Sequence, residues 1–241
     1  MLKVEELRVE RSRKLVLDGI DLTLAPSRTL VVIGESGAGK STLLAAILGL
    51  LSPRTGRATW NNVPVRAACP SLVMQEPRAA FNPALTLRRS VMEPVLARRL
   101  DLPDGRFDRL CAGLELDPAL LDRQPQEVSI GQAQRVAILR ALIAGSPLVL
   151  FDEPLSALDA VTQKHTANLI ASLQKEEGFA ALVVTHDLGY AAAHADDVVI
   201  LHDGRIEETA SAQTFFRAPQ TTYGRALCDA ALALGALERA A

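Results

Sequence analysis

Residues 1–33 alternate apolar and polar side chains, a pattern typical of strands that bury one face. The alternation is clearest in "LKVEELRVE" and "LVLDGIDLTL". It leads into "TLVVI", an uninterrupted apolar run of the kind found in strands buried on both faces of a parallel sheet. Further along, "GRATWNNVPV" predicts a strand pair or hairpin.

The pattern changes between about Arg78 and Gly145, where prolines interrupt helical stretches and no strong strand run is found. This predicts a mostly helical insertion. Three apolar runs follow it: "PLVLF", "AALVVTH" and "DDVVILHDG". A helical stretch at Val161–Glu177 separates the first two, and the edge-like "RIEETA" comes after the last. Strands that alternate with helices predict an α/β fold with a parallel sheet.

We predict one domain over residues 1–241. Residues 1–75 and 146–210 form its α/β core, and residues 76–145 form the helical insertion. Residues 211–241 form a tail that is rich in alanine and leucine and is predicted to be helical. A chain of this length can bury one sizeable core.

The amino-acid composition argues against several classes of protein. Hydrophobic residues make up 49% of the chain and charged residues 22%, as in ordinary soluble globular proteins. The net charge of −2 argues against a dedicated nucleic-acid binder. The three cysteines are far apart, which predicts neither a disulfide framework nor a zinc site. The longest aliphatic run, "TLLAAILGLL", is too short to span a bilayer, so we expect no membrane crossing.

The first chemical motif is the glycine-rich stretch "GESGAGKST", which lies between a predicted strand and a predicted helix. It matches the pattern G-x-x-x-x-G-K-[ST], whose backbone N–H groups surround a polyphosphate. Lys40 would reach the β- and γ-phosphates, and the Ser41 hydroxyl would bind Mg²⁺. The candidate phosphate ligands are Gly34, Glu35, Ser36, Gly37, Ala38, Gly39, Lys40, Ser41 and Thr42. The alternative, a purely structural glycine-rich turn, is disfavoured by this context.

The second motif is "PLVLFDEP", which places Asp152 at the carboxyl end of a strand, where ligands of open α/β sheets bind. A carboxylate there can hold Mg²⁺ through water, and the adjacent Glu153 could polarise a water that attacks a γ-phosphate. Alternatively, both carboxylates could cap the next helix.

The third motif is "VSIGQ", in which Ser129 and Gln132 have the spacing of a capping box at a helix start. Gly131 lies inside that first turn, where glycine costs about 1 kcal/mol relative to alanine. Its presence therefore requires an explanation other than helix propensity.

Six motifs in order, "GESGAGKST", "VMQEP", "SIGQ", "LVLFDEP", "SALD" and "VVTHD", resemble those of ATP-binding-cassette transporter ATPases over residues 1–210. The resemblance implies a P-loop NTPase (RecA-like) core, an antiparallel β subdomain and an inserted α-helical subdomain. ATP and Mg²⁺ are the implied cofactors. It makes Gln75 the loop glutamine that links the metal and the attacking water to the transport channel, Glu153 the catalytic carboxylate and His186 the histidine that touches the γ-phosphate. Ser41, Gln75 and Asp152 are the implied metal ligands.

The resemblance also implies two subunits packed head to tail, and Asp159 in a turn that crosses to the partner. Ser129, Gly131 and Gln132 would then contact nucleotide held by the other subunit, and a side chain at Gly131 would obstruct the phosphate. Ile130 stands where the family usually has glycine. The family's adenine-stacking aromatic is also missing, since no aromatic residue precedes Trp60. Arg11 or Arg13 could cover the base instead, although a solvated charge at the end of a strand is the favoured role for both.

The stretches "VMQEPRAAFNPALTL" and "TFFRAPQTTYGRAL" resemble the peptide/nickel importer branch of this family. Membership implies a separate integral-membrane permease and a peripheral position on the cytoplasmic face of the cell membrane. The partner ATPase could be a second copy or a different chain. Candidate apolar contacts with the permease, or alternatively core positions, are Phe81, Leu85, Leu87 and Val91.

Other classes use the same two-subunit arrangement. ATPases of DNA repair and chromosome organisation carry long coiled-coil or zinc insertions before the third motif, whereas residues 76–128 show no sustained heptads. Ribosome-acting members of the family usually have two cassettes in one chain and a basic linker, and this sequence shows neither feature. A non-hydrolytic regulatory subunit is disfavoured by Glu153 and His186. We therefore predict an importer ATPase.

Overall fold

The computed structural model describes residues 1–233 and 237, and these fall into two compact units. Unit 1 comprises residues 1–70 together with the described residues from 180 onward, and unit 2 comprises residues 71–179. None of the described helices combines the length and the apolar character needed to cross a bilayer.

The first sheet of unit 1 is antiparallel, with strand order β2-β1-β4-β5. Its strands are β1 (Leu2–Arg11), β2 (Lys14–Leu24), β4 (Thr55–Trp60) and β5 (Val63–Pro64). The apolar residues of β1 are buried, but Val4 and Leu7 are three residues apart. A register shift between them, where Glu6 has a φ of 46°, adds the extra residue and keeps both side chains on the core face. The predicted strands and the "GRATWNNVPV" hairpin are confirmed.

The second sheet of unit 1 has the strand order β10-β9-β3-β8. Its strands are β3 (Thr29–Ile33), β8 (Ala180–Thr185), β9 (Asp197–His202) and β10 (Arg205–Ser211). β3 runs parallel to β8 and β9, whereas β10 pairs antiparallel with β9. Every residue of β3 and β8 is buried, as their uninterrupted apolar sequences predict. The helices of unit 1 are α1 (Lys40–Ile47), α6 (Leu188–His194), α7 (Ala212–Arg217) and α8 (Thr222–Ala233).

Unit 2 contains one parallel strand pair, β6 (Ser71–Val73) and β7 (Leu148–Asp152). Its helices are α2 (Leu87–Ala97), α3 (Arg106–Gly113), α4 (Ile130–Ile143) and α5 (Ala160–Glu177). Pro118 and Pro125 begin short 3₁₀ turns, and Pro94 lies inside α2. The helical character predicted between Arg78 and Gly145 is confirmed.

Three of the four apolar candidates for permease contact are core residues of unit 2, as the alternative interpretation of these positions predicts. Phe81 is 5% exposed, and Leu87 and Val91 are fully buried. The guanidinium of Arg140 lies 4.7 Å from the centre of the Phe81 ring and so covers it. Only Leu85 is partly exposed.

The predicted domain boundaries stay a prediction. The helical tail predicted from Ala212 contains α7 and α8, and residues 234–236 and 238–241 of it lie outside the described residues.

Candidate nucleotide site

The glycine-rich loop follows β3 directly, and α1 begins at its end with Lys40. The Lys40 side chain is buried, and its Nζ donates hydrogen bonds to the carbonyl oxygens of Gly34 (2.7 Å) and Glu35 (3.0 Å). No side chain caps the N-terminus of α1 at Gly39. A buried ammonium group and an uncapped helix N-terminus together form an electropositive loop that suits an anion such as polyphosphate.

Two glycines of this loop are required by its surroundings. A Cβ on Gly34 would lie 2.4 Å from the carbonyl oxygen of Leu201, so no side chain fits. Gly39 has a φ of 106°, and a Cβ there would also meet Leu17 at 2.7 Å. The loop is further held by a hydrogen bond from Gly204 N to the Ala38 carbonyl oxygen (3.2 Å). The loop conformation is therefore set by the strands behind it.

The remaining loop candidates differ in exposure. Glu35, Ser36 and Gly37 are exposed, and so is Ser41 in the first turn of α1, whereas Ala38 and Thr42 are buried. Ser41 thus lies on the solvent-facing side of the first turn of α1.

His186 comes one residue after β8 and is exposed. Because β3 and β8 are parallel, with Ile33 paired to Thr185, the glycine-rich loop and His186 leave neighbouring strands at the same edge of the sheet. The turn is fixed by Asp187, which accepts a hydrogen bond from Tyr190 N at the start of α6 (3.0 Å). Unit 1 thus brings the loop and the histidine together.

In unit 2, candidate residues also lie at the ends of two parallel strands. Gln75 lies two residues after β6, and Asp152 is the last residue of β7. The two strands are parallel, with Val73 paired to Phe151, so Gln75, Asp152 and Glu153 leave them at one edge. Glu153 has a φ of 43°, and non-glycine residues held in this left-handed region are found preferentially at functional sites. Its carbonyl oxygen accepts hydrogen bonds from both the backbone and the hydroxyl of Ser156.

The predicted capping box at the start of α4 is confirmed. Gln132 N donates to Ser129 Oγ (3.1 Å), and Ser129 N donates to Gln132 Oε1 (2.9 Å). The helix tip is open to solvent, because Ser129 and Ile130 are exposed. A Cβ on Gly131 would lie 3.0 Å from Cγ2 of Thr162, a contact that the sequence did not indicate.

Asp159 caps α5 in the same unit. Its carboxylate accepts hydrogen bonds from the hydroxyl of Thr162 (2.7 Å) and from the backbone N–H groups of Val161 and Thr162 (3.1 Å each). The Thr162 hydroxyl and these N–H groups lower the pKa of Asp159. The α5 start, with Val161 81% exposed, is thus rigid but accessible. Contact of Asp159 with a partner subunit stays a prediction.

Arg11 is the last residue of β1 and Arg13 lies in the tight turn that leads to β2, and both are exposed. Ser12 and Arg13 have φ values of 50° and 66°, as a two-residue hairpin turn requires. Their suggested position over the base stays a prediction.

Residues 17–156 match the family model described as "ABC transporter". The chain is 34% identical over 216 residues to the probable D,D-dipeptide transport ATP-binding protein DdpF of Escherichia coli, covering 88% of this chain and 69% of that protein. It is also 34% identical over 243 residues to the nickel import ATP-binding protein NikD of Brucella abortus, covering 95% and 93%.

Solved structures give the same result. A dimeric post-hydrolysis structure of the ATP-binding cassette MJ0796 bound to ADP and Pi matches with a TM-score of 0.76 and 27% identity, covering 88% of this chain and 99% of that one. The cbiO1 protein from Clostridium perfringens, part of the ABC transporter complex cbiONQ, matches with a TM-score of 0.78 and 27% identity, covering 90% of each chain. The fold is that of a P-loop NTPase, and the chain belongs to the ABC transporter family as one of its ATP-binding ATPase cassettes.

Proposed function

We propose that this chain powers an importer, in which it hydrolyses ATP while a separate permease carries a peptide, nickel or a related metal chelate. Relatives named for D,D-dipeptide transport, oligopeptide transport and nickel import support this substrate class. The observation that carries the proposal is the glycine-rich loop, in which the buried Lys40 donates a hydrogen bond to the Gly34 carbonyl oxygen. This loop ends in a helix N-terminus that no side chain caps, and it lies at the same sheet edge as His186.

The loop binds the phosphates of ATP in this proposal. Its backbone N–H groups and the N-terminus of α1 hold the phosphate oxygens, and Lys40 neutralises their charge. Ser41, Asp152 and Gln75 offer only oxygen donors, which is the donor set that Mg²⁺ prefers. When bound, Mg²⁺ would neutralise charge on the β- and γ-phosphates.

Glu153 is the residue we assign to the attacking water. A carboxylate that follows the last residue of a strand in a strained, hydrogen-bonded turn keeps a fixed position while it orients that water. Gln75, from the neighbouring strand, supports the same water, and His186 contacts the γ-phosphate. Reaction proceeds by in-line attack, and catalysis comes mainly from positioning and charge neutralisation.

A second ATPase subunit completes the site in this proposal. The exposed tip of α4, with Ser129, Gly131 and Gln132, presents backbone N–H groups to nucleotide held by the partner. The dimeric cassette among the similar structures supports this arrangement. The dimer docks on a permease at the cytoplasmic face of the cell membrane, and ATP binding and hydrolysis close and open it.

Glu153→Gln tests the chemistry. The amide can still hydrogen-bond but cannot act as a base, so we expect phosphate release to fall by at least about a hundredfold. ATP should still bind, and a dimer should be trapped on gel filtration with ATP. Glu176→Gln, an exposed carboxylate on α5, is the matched control and should behave as wild type. Wild-type phosphate release from Glu153→Gln would remove Glu153 from the mechanism.

Uptake by cells tests the transport assignment. A strain that lacks this chain should lose uptake of labelled dipeptide or of labelled nickel, and the wild-type chain should restore it while Glu153→Gln should not. Unchanged uptake of both labels in the deletion strain would contradict the substrate class, while leaving the ATPase assignment in place.

A further inference from the structure

The glycine-rich loop is held by two other segments of unit 1. One is the turn after β9, where Gly204 N donates a hydrogen bond to the Ala38 carbonyl oxygen (3.2 Å). The other is β2, where the side chain of Leu17 lies so close to Gly39 that a Cβ there would be 2.7 Å from it. The loop therefore depends on how the turn and β2 are held relative to each other.

The turn after β9 is tight and lies against β2. Asp203 and Gly204 connect β9 to β10 with φ values of 45° and 75°, as a two-residue hairpin turn requires. A Cβ on Gly204 would lie only 2.2 Å from the Val16 carbonyl oxygen of β2. On the β9 side the turn is held by His202, whose ring stacks on that of Tyr223 with centroids 4.1 Å apart. A turn of two residues has little freedom of its own, so a shift of either flank moves the Gly204 N–H.

Asp18 of β2 holds the β10 side of the turn. Its Oδ2 accepts a hydrogen bond from the guanidinium of Arg205 (2.6 Å), the first residue of β10, and its Oδ1 accepts one from Arg8 Nε of β1 (2.9 Å). Its backbone N–H donates to the Gly204 carbonyl oxygen (2.9 Å). Hydrogen bonds from Arg8 and Arg205 lower the pKa of Asp18, so its carboxylate is ionised at neutral pH. A single residue thus connects three strands and the turn.

We propose that Asp18 is a positioning residue for ATP binding: by bridging Arg8 and Arg205, it fixes the turn at Gly204 against β2 and so keeps the glycine-rich loop in its binding conformation. The inference rests on the proposed function of the loop in binding ATP phosphates. Without the carboxylate, two guanidinium groups that share one acceptor are left to repel each other, and β10 is free to shift from β2. The loop then spends less time in the conformation that binds phosphates, which lowers the apparent affinity in proportion.

The first test is Asp18→Ala, for which we expect KM for ATP to rise about threefold to tenfold while kcat stays within about twofold. Asp18→Asn keeps the side-chain volume and one acceptor, so it should fold as wild type and raise KM less. Asp197→Ala is the matched control, because it breaks the ion pair with Arg28 (2.9 Å) at the opposite end of β9 and should keep the wild-type KM. A wild-type KM in Asp18→Ala, or an equal rise in Asp197→Ala, would overturn the proposal.

Amide hydrogen exchange of the nucleotide-free protein tests the loop directly. The amides of residues 35–43 should exchange at least about threefold faster in Asp18→Ala than in wild type, and at the wild-type rate in Asp197→Ala. Unchanged exchange of these amides in Asp18→Ala would overturn the proposal. Because this measurement needs no nucleotide, it decides whether Asp18 holds the loop even if the wild-type chain neither binds nor hydrolyses ATP, a result that would contradict the proposed function.

Discussion

Gly131→Ala probes why a glycine stands in the first turn of α4. Alanine favours the helix by up to about 1 kcal/mol. The added Cβ, however, would lie 3.0 Å from Cγ2 of Thr162, whereas an ordinary contact of this kind is 3.4 to 4 Å. Thr162 cannot simply rotate away, because its hydroxyl bonds the Asp159 carboxylate at 2.7 Å.

The two effects oppose one another. Overpacking of a constrained contact costs about 1–3 kcal/mol, which exceeds the gain in helix propensity. We expect Gly131→Ala to lower the free energy of unfolding by about 1 kcal/mol, and hence the melting temperature by roughly 2–4 °C for a chain of this size. Thermal unfolding of the nucleotide-free protein, followed by circular dichroism, measures this. A Gly131→Ala protein more stable than wild type would refute the packing argument.

Thr162→Ser provides the matched second variant, because it deletes the methyl group and keeps the hydroxyl that bonds Asp159. Gly131→Ala combined with Thr162→Ser should regain stability to within about 0.5 kcal/mol of Thr162→Ser alone. If Gly131 also makes room for phosphate across a subunit interface, the ATPase rate of this double variant should stay at least about tenfold low. Recovery of both properties would mean that Gly131 serves packing alone.

Two further predictions concern stability. Arg106 is largely buried, pairs with Glu177 (2.6 Å) and donates hydrogen bonds to the last carbonyl oxygens of α4. Arg106→Ala should therefore lower the free energy of unfolding in urea by about 3 kcal/mol, whereas Arg109→Ala, at an exposed position, should lower it by less than about 0.5 kcal/mol. Equal losses in the two variants would contradict a stabilising role for Arg106. Although burial opposes the shift, hydrogen bonds from Gln220 and Thr221 lower the pKa of Glu208 below its ordinary value of 4.5. The ionised Glu208 therefore contributes its full stabilisation above the ordinary pKa, and this stabilisation is lost as the pH falls through the lower pKa of the folded state. Glu208→Gln should make the melting temperature fall less steeply with decreasing pH than it does in wild type. An unchanged dependence of the melting temperature on acidic pH would contradict this.

The sequence predicted correctly where the parallel strands end. "TLVVI" and "PLVLFD" identify where β3 and β7 stop, and the candidate site residues stand at these ends or just after them. The register of each parallel pair then decides which loops share an edge, as Ile33 with Thr185 and Val73 with Phe151 do. These relations follow from local pattern and strand direction, so no side-chain contact had to be known.

Contacts between residues distant in sequence could not be predicted in this way. Apolar character made Phe81, Leu87 and Val91 candidates for a permease surface, but periodicity alone does not say what covers a helix face, and here it is the core of unit 2. The approach of Thr162 to Gly131 and the stacking of Tyr223 on His202 depend on tertiary packing and leave no trace in a local pattern.

The hydrogen bonds at the start of α4 show what changes when isoleucine, at position 130, stands where the family usually has glycine. A helix begins with four N–H groups that have no partner within it, and the capping box of α4 satisfies those of Ser129 and Gln132. The N–H groups of Ile130 and Gly131 remain directed along the helix axis, toward any anion placed at the tip. Isoleucine keeps its N–H, and Ile130 is 42% exposed. Replacing the family's first glycine therefore adds bulk beside the tip without removing a donor, whereas a side chain at Gly131 would meet the fixed start of α5. The second glycine of this motif is thus the more constrained of the two positions.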